Sequence, residues 1–236
     1  PALIGKDLKS SRLRETYKFE VHTRPPRIAY RETVTAPAEG HHRHKKQTGG
    51  AGQFGEVFLR IEPLPRGAGF EFVDEVKGGT IPTQFLPAVQ MSVEQVLSTV
   101  PVAGYPLQDV RVIVYDGKSH AVDSKEVAFV SAGKKAFIDA ISKARPIVLE
   151  PIVSLEVPCQ ADRMGDIAGD LASRRGQVTG TQTLAAGALA VIGPAPLAEL
   201  EGYGSRLKAF TGGHGSYTMA LARYEQAPPT VQQALA

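Results

Sequence analysis

Three histidines, His41, His42 and His44, stand in a dense run with Arg43, Lys45 and Lys46. Imidazoles spaced this closely could ligate a transition metal, or could rest partly protonated against phosphate. A structural zinc takes four ligands from distant segments, and beyond this run the chain holds only His22, His120, His214 and Cys159. No metal is therefore expected. Cationic imidazoles beside arginine and lysine fit a polyanion better. The plain alternative is a basic loop that is merely solvated.

A glycine run follows at once, with Gly49, Gly50, Gly52 and Gly55. Gly50, Gly52, Gly55 and Val57 spell G-x-G-x-x-G-x-V. A dinucleotide fold needs a strand before that pattern and a helix after it, whereas a polar stretch precedes it here and a strand-like run follows. The V-A-I-K, H-R-D and D-F-G segments of a protein kinase are absent. The nucleotide reading is rejected. Residues 40–55 contain almost no apolar side chain, so neither helix nor strand period fits them. They are expected to form an exposed loop whose glycines let its backbone approach a partner closely.

Elsewhere the chemistry is thinner. No serine–histidine–acid or cysteine–histidine arrangement can be assigned, so no catalytic site is expected. Asp162, Asp166 and Asp170 fall on one helix face and read as its solvated side. Arg174 and Arg175, before Gly176, suit a helix C-terminus electrostatically and equally suit a phosphate contact. His120 lies in a polar turn, Asp116 to His120, with Lys118, Ser119 and Lys125 nearby, where recognition residues concentrate.

The elements that must position these groups fall into two sets. Residues 27–145 alternate short strands (Ile28 to Val34, Phe54 to Ile61, Phe70 to Val76, Val110 to Val114) with two helices. The first helix covers Pro82 to Val100. The second opens at Asp123, an N-cap with Glu126 three residues on, and buries Val127, Val130, Phe137, Ile138 and Ile141. Residues 146–236 read as βαββαβ, the ferredoxin-like pattern. Its strands are Ile147 to Val157, Gln177 to Thr183, Ala188 to Ile192 and Tyr217 to Tyr224. Its helices are Asp162 to Arg174, stopped by Gly176, and Leu197 to Phe210, introduced by Pro194 to Pro196. A short helix at Pro228 to Leu235 follows. Residues 1–26, with a short helix at Leu8 to Tyr17, a strand at Lys18 to Val21 and a Thr23 to Pro26 linker, read as the remnant of a preceding domain. The fold class is α+β in two domains.

At 236 residues and 42% hydrophobic content the chain can bury real cores. No apolar run approaches bilayer-spanning length, and no basic-then-apolar signal pattern opens the sequence. A single cysteine cannot form an internal disulfide, which fits a reducing cytoplasm. The net charge of +3 is uneven: residues 1–60 hold twelve basic and six acidic side chains, +6, and the rest fifteen against eighteen, −3. Such an end suits local contact with nucleic acid.

Several stretches then resemble one family in order. Ile28-Ala29-Tyr30-Arg31-Glu32-Thr33, Gln47 to Gly55, Gly78 to Pro82, Ala103 to Pro106, His120-Ala121-Val122-Asp123-Ser124 and Lys143 to Pro146 resemble the fourth domain of bacterial elongation factor G. Gly165-Asp166-Ile167, Arg174-Arg175-Gly176, Gly202-Tyr203-Gly204 and Ser216 to Met219 resemble its fifth. The resemblance implies a ribosomal-protein-like βαβ domain with a left-handed crossover, followed by a ferredoxin-like domain. It implies a GTPase that moves tRNA and mRNA through the ribosome and helps recycle ribosomes. GTP and magnesium are expected only on the family's GTPase domain; the G-x-x-x-x-G-K-[ST] loop is absent from this sequence. No cofactor is expected in this chain.

By the same resemblance, tip loops of the first domain enter the small-subunit decoding region. The expected contact residues are His42, Arg43, His44, Lys45, Lys46, Gln47, Gly49, Gly50 and Gln53 in one loop. Lys118, Ser119, His120, Asp123 and Ser124 belong to the other. Arg174 and Arg175 match a basic helix end near the large-subunit factor-binding region. Expected partners are the ribosome, rRNA, tRNA and mRNA, with no membrane, for a cytoplasmic monomer. The histidine-rich run, Lys118-Ser119, Lys125 and the compact Pro65 to Gly69 loop resemble divergent paralogues of the family. A paralogue acting in recycling, protection or stress is the second reading, and a general RNA-binding module the third.

Overall fold

A computed structural model describes residues 28–47, 52–99, 103–184 and 189–235. The expectations for Leu8 to Tyr17, Lys18 to Val21 and the linker at Thr23 to Pro26 lie outside these residues, as do Gly49 and Gly50. The described residues pack as two units, 30–149 with 226–235, and 28–29 with 150–225.

The first unit contains β1 (Arg31–Val34), β2 (Ala38–Lys46), β3 (Gln53–Pro63), β4 (Phe70–Asp74), α1 (Leu86–Thr99), β5 (Val110–Lys118), α2 (Glu126–Lys143) and the opening of β6 (Pro146–Cys159). Four strands form a sheet in the order β2-β3-β5-β4. β4 and β5 run parallel, so the intervening α1 completes a βαβ unit. β1 pairs antiparallel with the first four residues of β6. The helices cover one sheet face because the strands alternate as expected. Val57, Leu59 and Ile61 of β3, with Val110, Val112 and Val114 of β5, meet Val89, Val93 and Val96 of α1 and Phe129, Ala136 and Phe137 of α2. Each buried valine, leucine, isoleucine or phenylalanine among them stabilises the unit by about 1.5–3 kcal/mol.

Three expectations are corrected here. First, residues 40–46 are not loop but the body of β2, paired residue for residue with β3 from Ala38↔Ile61 to Lys46↔Gln53. Its alternation is real, with Gly40, His42 and His44 turned inward, but polar types carry it and no hydrophobic period marks it. Second, α2 buries Ala128, Phe129, Ala132, Gly133, Ala136, Phe137, Ala140 and Ile141. Val127 is exposed, and Val130 and Ile138 are only partly buried. Small residues mark the inner face because neighbours approach closely. A Cβ on Gly40 would stand 2.0 Å from the Ala136 carbonyl oxygen, and one on Gly133 would stand 2.5 Å from Ser92 Oγ. Third, α2 begins at Glu126 with Lys125 at its N-cap position and no side-chain cap, and β5 runs on through Lys118. Asp123 is free for another task.

The compact Pro65 to Gly69 loop closes around Asp109. That buried residue takes a left-handed φ of +58°. Its carboxylate accepts the Gly67 and Gly69 amides, both at 3.0 Å, and Arg66 Nη1 at 2.8 Å. Burial opposes the charge, but these donors outweigh it and hold the carboxyl below its usual range.

The second unit contains β6 from Glu150, α3 (Met164–Ser173), β7 (Gly180–Thr183), β8 (Leu189–Pro196), α4 (Tyr203–Phe210) and β9 (Thr218–Gln226). Its strand order β9-β6-β8-β7 is ferredoxin-like. Val153, Leu155, Val157, Ile167, Leu171, Val191, Tyr203 and Leu207 form its core. Pro194 to Pro196 belong to β8, and the expected Leu197 to Phe210 helix is split by Gly202 at φ +70°. The last helix, α5 (Pro229–Leu235), groups with the first unit. There the Ala227 amide donates to the Val148 carbonyl at 3.0 Å.

Candidate nucleic-acid interface

One end of the first unit gathers the β2–β3 hairpin and the β5–α2 connection, residues 119–125. Backbone and side-chain hydrogen bonds together pair them. The Phe54 amide donates to the Asp123 carbonyl at 2.9 Å, and Ser124 Oγ donates to the Phe54 carbonyl at 3.0 Å. The Gly52 amide donates to Asp123 Oδ1 at 3.2 Å. A Cβ at position 52 would lie 2.8 Å from Asp123 Cγ, so a larger residue there would have to displace the Asp123 carboxylate from its bond to the Gly52 amide. The two stretches read separately from sequence are therefore joined. Asp123 and Ser124 are their fasteners.

His120 sits exposed on this end, its ring 6.3 Å from that of Phe54. Its amide donates to Ser124 Oγ at 2.8 Å. Its Nδ1 accepts from the Val122 and Asp123 amides at 3.3 and 3.2 Å. Lys118 closes β5 as an exposed residue and Ser119 is half-buried beside it.

The basic strand divides into three kinds of residue. Arg43 and His41 are exposed but engaged: Arg43 Nε lies 3.1 Å from Glu56 Oε2, and His41 Nε2 lies 2.8 Å from Glu56 Oε1. Glu56 itself is 4% exposed. Burial raises its carboxyl pKa, but the hydrogen bonds from His41 and Arg43 outweigh that and bring it below the usual range. The His41 ring also stacks on Phe58 at 4.1 Å. His42 and His44 turn inward. Burial, then the charges of Lys135, His44 and His41, push the His42 imidazole below its ordinary value. That downward shift disfavours the charged form, so the surroundings of His42 work against the cationic imidazole expected of it. His44 Nε2 meets Gln53 Oε1 at 3.1 Å. Lys45, Lys46 and Gln47 are exposed, and neither lysine, nor Lys118, has an ion pair among the described residues.

Sequence reasoning missed Glu56, Asp139 and Lys135. Glu56 stands directly opposite Arg43 in the β2–β3 register, so reading residues 40–46 as a strand would have exposed the cross-strand pair. Asp139 Oδ2 accepts the His41 amide at 3.2 Å and Lys143 Nζ at 2.7 Å, covering part of the β2 edge. Among the described residues, no group of three or more His, Cys, Asp or Glu is placed to hold a metal ion.

The basic pair of the second unit is arranged differently. Arg174 follows α3 with Nε 2.9 Å from Asp170 Oδ2 and Nη1 2.7 Å from the Glu199 carbonyl. Its guanidinium lies 5.4 Å from the Tyr203 ring centre. Arg175 grips the buried Glu150 carboxylate through both terminal nitrogens and reaches Glu199 Oε1 at 3.4 Å. It also takes the left-handed turn, at φ +59°. The helix stop expected of Gly176 is a Schellman motif with Arg175 at its left-handed position: the Gly176 amide donates to the Leu171 carbonyl at 2.8 Å, and that of Arg175 to Ala172 at 3.2 Å. Asp170, expected on a solvated face, is 8% exposed and pairs with Arg174 and Arg206.

These features define a two-unit α+β protein with a basic, glycine-containing tip on its first unit. A crystal structure of a Thermus thermophilus protein matches it with a TM-score of 0.85 and 36% identity, covering 97% of this chain and 34% of that one. Residues 26–145 match "Elongation factor G, domain IV", and residues 147–235 match "Elongation factor G C-terminus". An elongation factor G-like protein from Thermotoga maritima is 43% identical over 96% of this chain and 33% of its own length. An elongation factor G from Aquifex pyrophilus is 42% identical over 96% of this chain and 32% of its own. The chain belongs to the elongation factor G family of translation factors, and it spans about a third of the length of these relatives. No helix among the described residues is long and apolar enough to cross a membrane.

Proposed function

We propose that this chain is the ribosome-contacting part of a translocation GTPase. The observation that carries the reading is the fastened tip. Gly52, Phe54, Asp123 and Ser124 tie two loops into one body, on which Lys45, Lys46, Lys118 and His120 stand open. Open cations and a glycine backbone suit the phosphates and shape of folded RNA. The tip would enter the decoding region of the small subunit as a wedge behind moving tRNA and mRNA. It contributes contact rather than catalysis; GTP and magnesium would act on the family's GTPase domain. The second unit would lie at the large-subunit factor-binding region, with the part of Arg175 left exposed as its rRNA contact. A monomer acting in the cytoplasm fits this work.

The test is single-round translocation by toeprinting, with the full-length protein that carries this chain as the sole factor. A one-codon shift supports the reading, and His120→Ala should slow it far more than it slows GTP hydrolysis or ribosome binding. The inward histidines of β2 and the resemblance to divergent paralogues favour a second reading, a ribosome-binding factor for recycling, protection or stress. Intact ribosome-stimulated hydrolysis without a shift selects it.

A further inference from the structure

The hydrogen bonds around His120 specify more than its position. Two backbone N–H groups, from Val122 and Asp123, both point at Nδ1. An N–H cannot donate to a protonated nitrogen, so Nδ1 carries the lone pair and the ring proton sits on Nε2. The nearest charged atom, Asp123 Oδ2, lies 3.5 Å from Nδ1, too long to compete with those donors. The other ring neighbour is Phe54, at 6.3 Å between centres. The loop's curl is held by Ser124, whose Oγ takes the His120 amide and gives its own proton to Phe54. Asp123 holds the same curl against the hairpin through Gly52 and Phe54.

We propose that Asp123 and Ser124 are positioning residues that present His120 to RNA as a neutral Nε2–H donor, matched to an acceptor such as a phosphate oxygen or a ribose 2′-hydroxyl. The proposal rests on the tip-contact reading for its RNA half alone. The tautomer is a property of the free chain. On this view Asp123 and Ser124 do not touch RNA; their effect on it passes through His120. A single directed donor also differs from the lysines nearby: it discriminates where an acceptor lies, whereas a flexible ammonium responds to charge at large.

The first test is a two-bond 1H–15N correlation spectrum of the histidine-labelled chain, with the His120 signals assigned by their loss in His120→Gln. Nδ1 should resonate as an unprotonated nitrogen and Nε2 as a protonated one. A protonated Nδ1, or rapid averaging of the two, overturns the proposal. Ser124→Ala should bring on averaging, while Ser124→Thr, which keeps the hydroxyl, should not. An unchanged tautomer in both Ser124→Ala and Asp123→Asn, each checked for retained fold by circular dichroism, removes their positioning role.

The second test uses the full-length protein in single-round translocation. His120→Gln keeps a neutral donor, and His120→Lys offers a charge. The glutamine variant should be faster by roughly tenfold, the value of one well-placed hydrogen bond to a charged acceptor. A faster lysine variant overturns neutral donation while leaving the tip contact standing. If neither substitution matters, the tip-contact reading falls, and the spectrum still judges the presentation of the ring by itself.

Discussion

Two basic places in this chain look alike in sequence and differ in structure. Arg174 and Arg175 end α3 with their guanidinium groups on Asp170, Glu150 and main-chain carbonyls. Lys45, Lys46 and Lys118 end strands with no carboxylate in reach among the described residues. A cation already matched to a buried anion organises its own unit. One left open has only solvent or an outside polyanion to meet. The β2 strand contains both kinds, since Glu56 engages Arg43 and His41 while the lysines two and three residues beyond Arg43 have no ion pair among the described residues. Charge counts therefore overstate the interface.

The largest expected effect is at the helix end. Arg175→Ala leaves Glu150, 2% exposed, as an unpaired buried carboxylate. The second unit should lose about 3 kcal/mol, the usual result of breaking a buried pair from one side. Arg175→Gly should lose about 1 kcal/mol less, because glycine relieves the left-handed turn at φ +59°. Urea midpoints of the two variants check this. Equal stability to the parent would erase the contrast with the tip.

Glu56→Gln moves the boundary between the two kinds of cation. It removes the charge that engages Arg43 and His41 and should destabilise the first unit by about 2 kcal/mol, as for hydrogen bonds to a charged group. At the same time it frees Arg43, so affinity for RNA at low salt should rise. In the parent, the depressed Glu56 carboxyl contributes stability that is complete above the ordinary value of 4.5 and lost as pH falls through its lower folded value. The variant should lack that acid-side dependence. Unchanged RNA affinity would mean that Arg43 points away from the partner.

Lys45→Ala and Lys46→Ala should leave stability within about 0.5 kcal/mol. Each should reduce the slope of log affinity against log salt by roughly 1. Arg174→Ala should leave that slope unaltered while lowering stability. Filter binding to rRNA fragments across a salt series reads both, and a slope change only in the arginine variant would reverse the assignment.

The core of this fold was legible because Val57, Leu59 and Ile61 alternate against Glu56, Phe58, Arg60 and Glu62, and Ile167 and Leu171 repeat at helical spacing. β2 was not, because its inward positions are Gly40, His42 and His44, chosen by the nearness of α2 rather than by hydrophobicity. The inner face of α2 was misplaced for the same reason: alanines mark close contact, and the more conspicuous valine at 127 faces out. At the tip, residue types singled out two segments, and the structure joins them through Gly52, Phe54, Asp123 and Ser124. Which cations are occupied depended on Glu56 lying across from Arg43, a register no local pattern shows. Asp123 read as a helix cap because its spacing to Glu126 is correct for one; only the later helix start freed it for Gly52.

The smallest effect concerns His42, the residue whose surroundings most clearly separate inward from outward positions on one strand. Burial and then Lys135, His44 and His41 hold its folded pKa below 6.5, while Asp139 partly opposes them. In that window the unfolded chain binds a proton that the folded chain refuses, so stability must fall as pH drops from about 7 toward the folded value and level off beneath it. His42→Gln should remove this slope and leave the steeper loss from Glu56 at lower pH in place. Subtracting the two urea-midpoint profiles between about pH 5 and 8 isolates the imidazole. A difference of opposite sign would mean that His42 gains a proton on folding, which would return it to the outward, phosphate-facing set with Lys45 and Lys46.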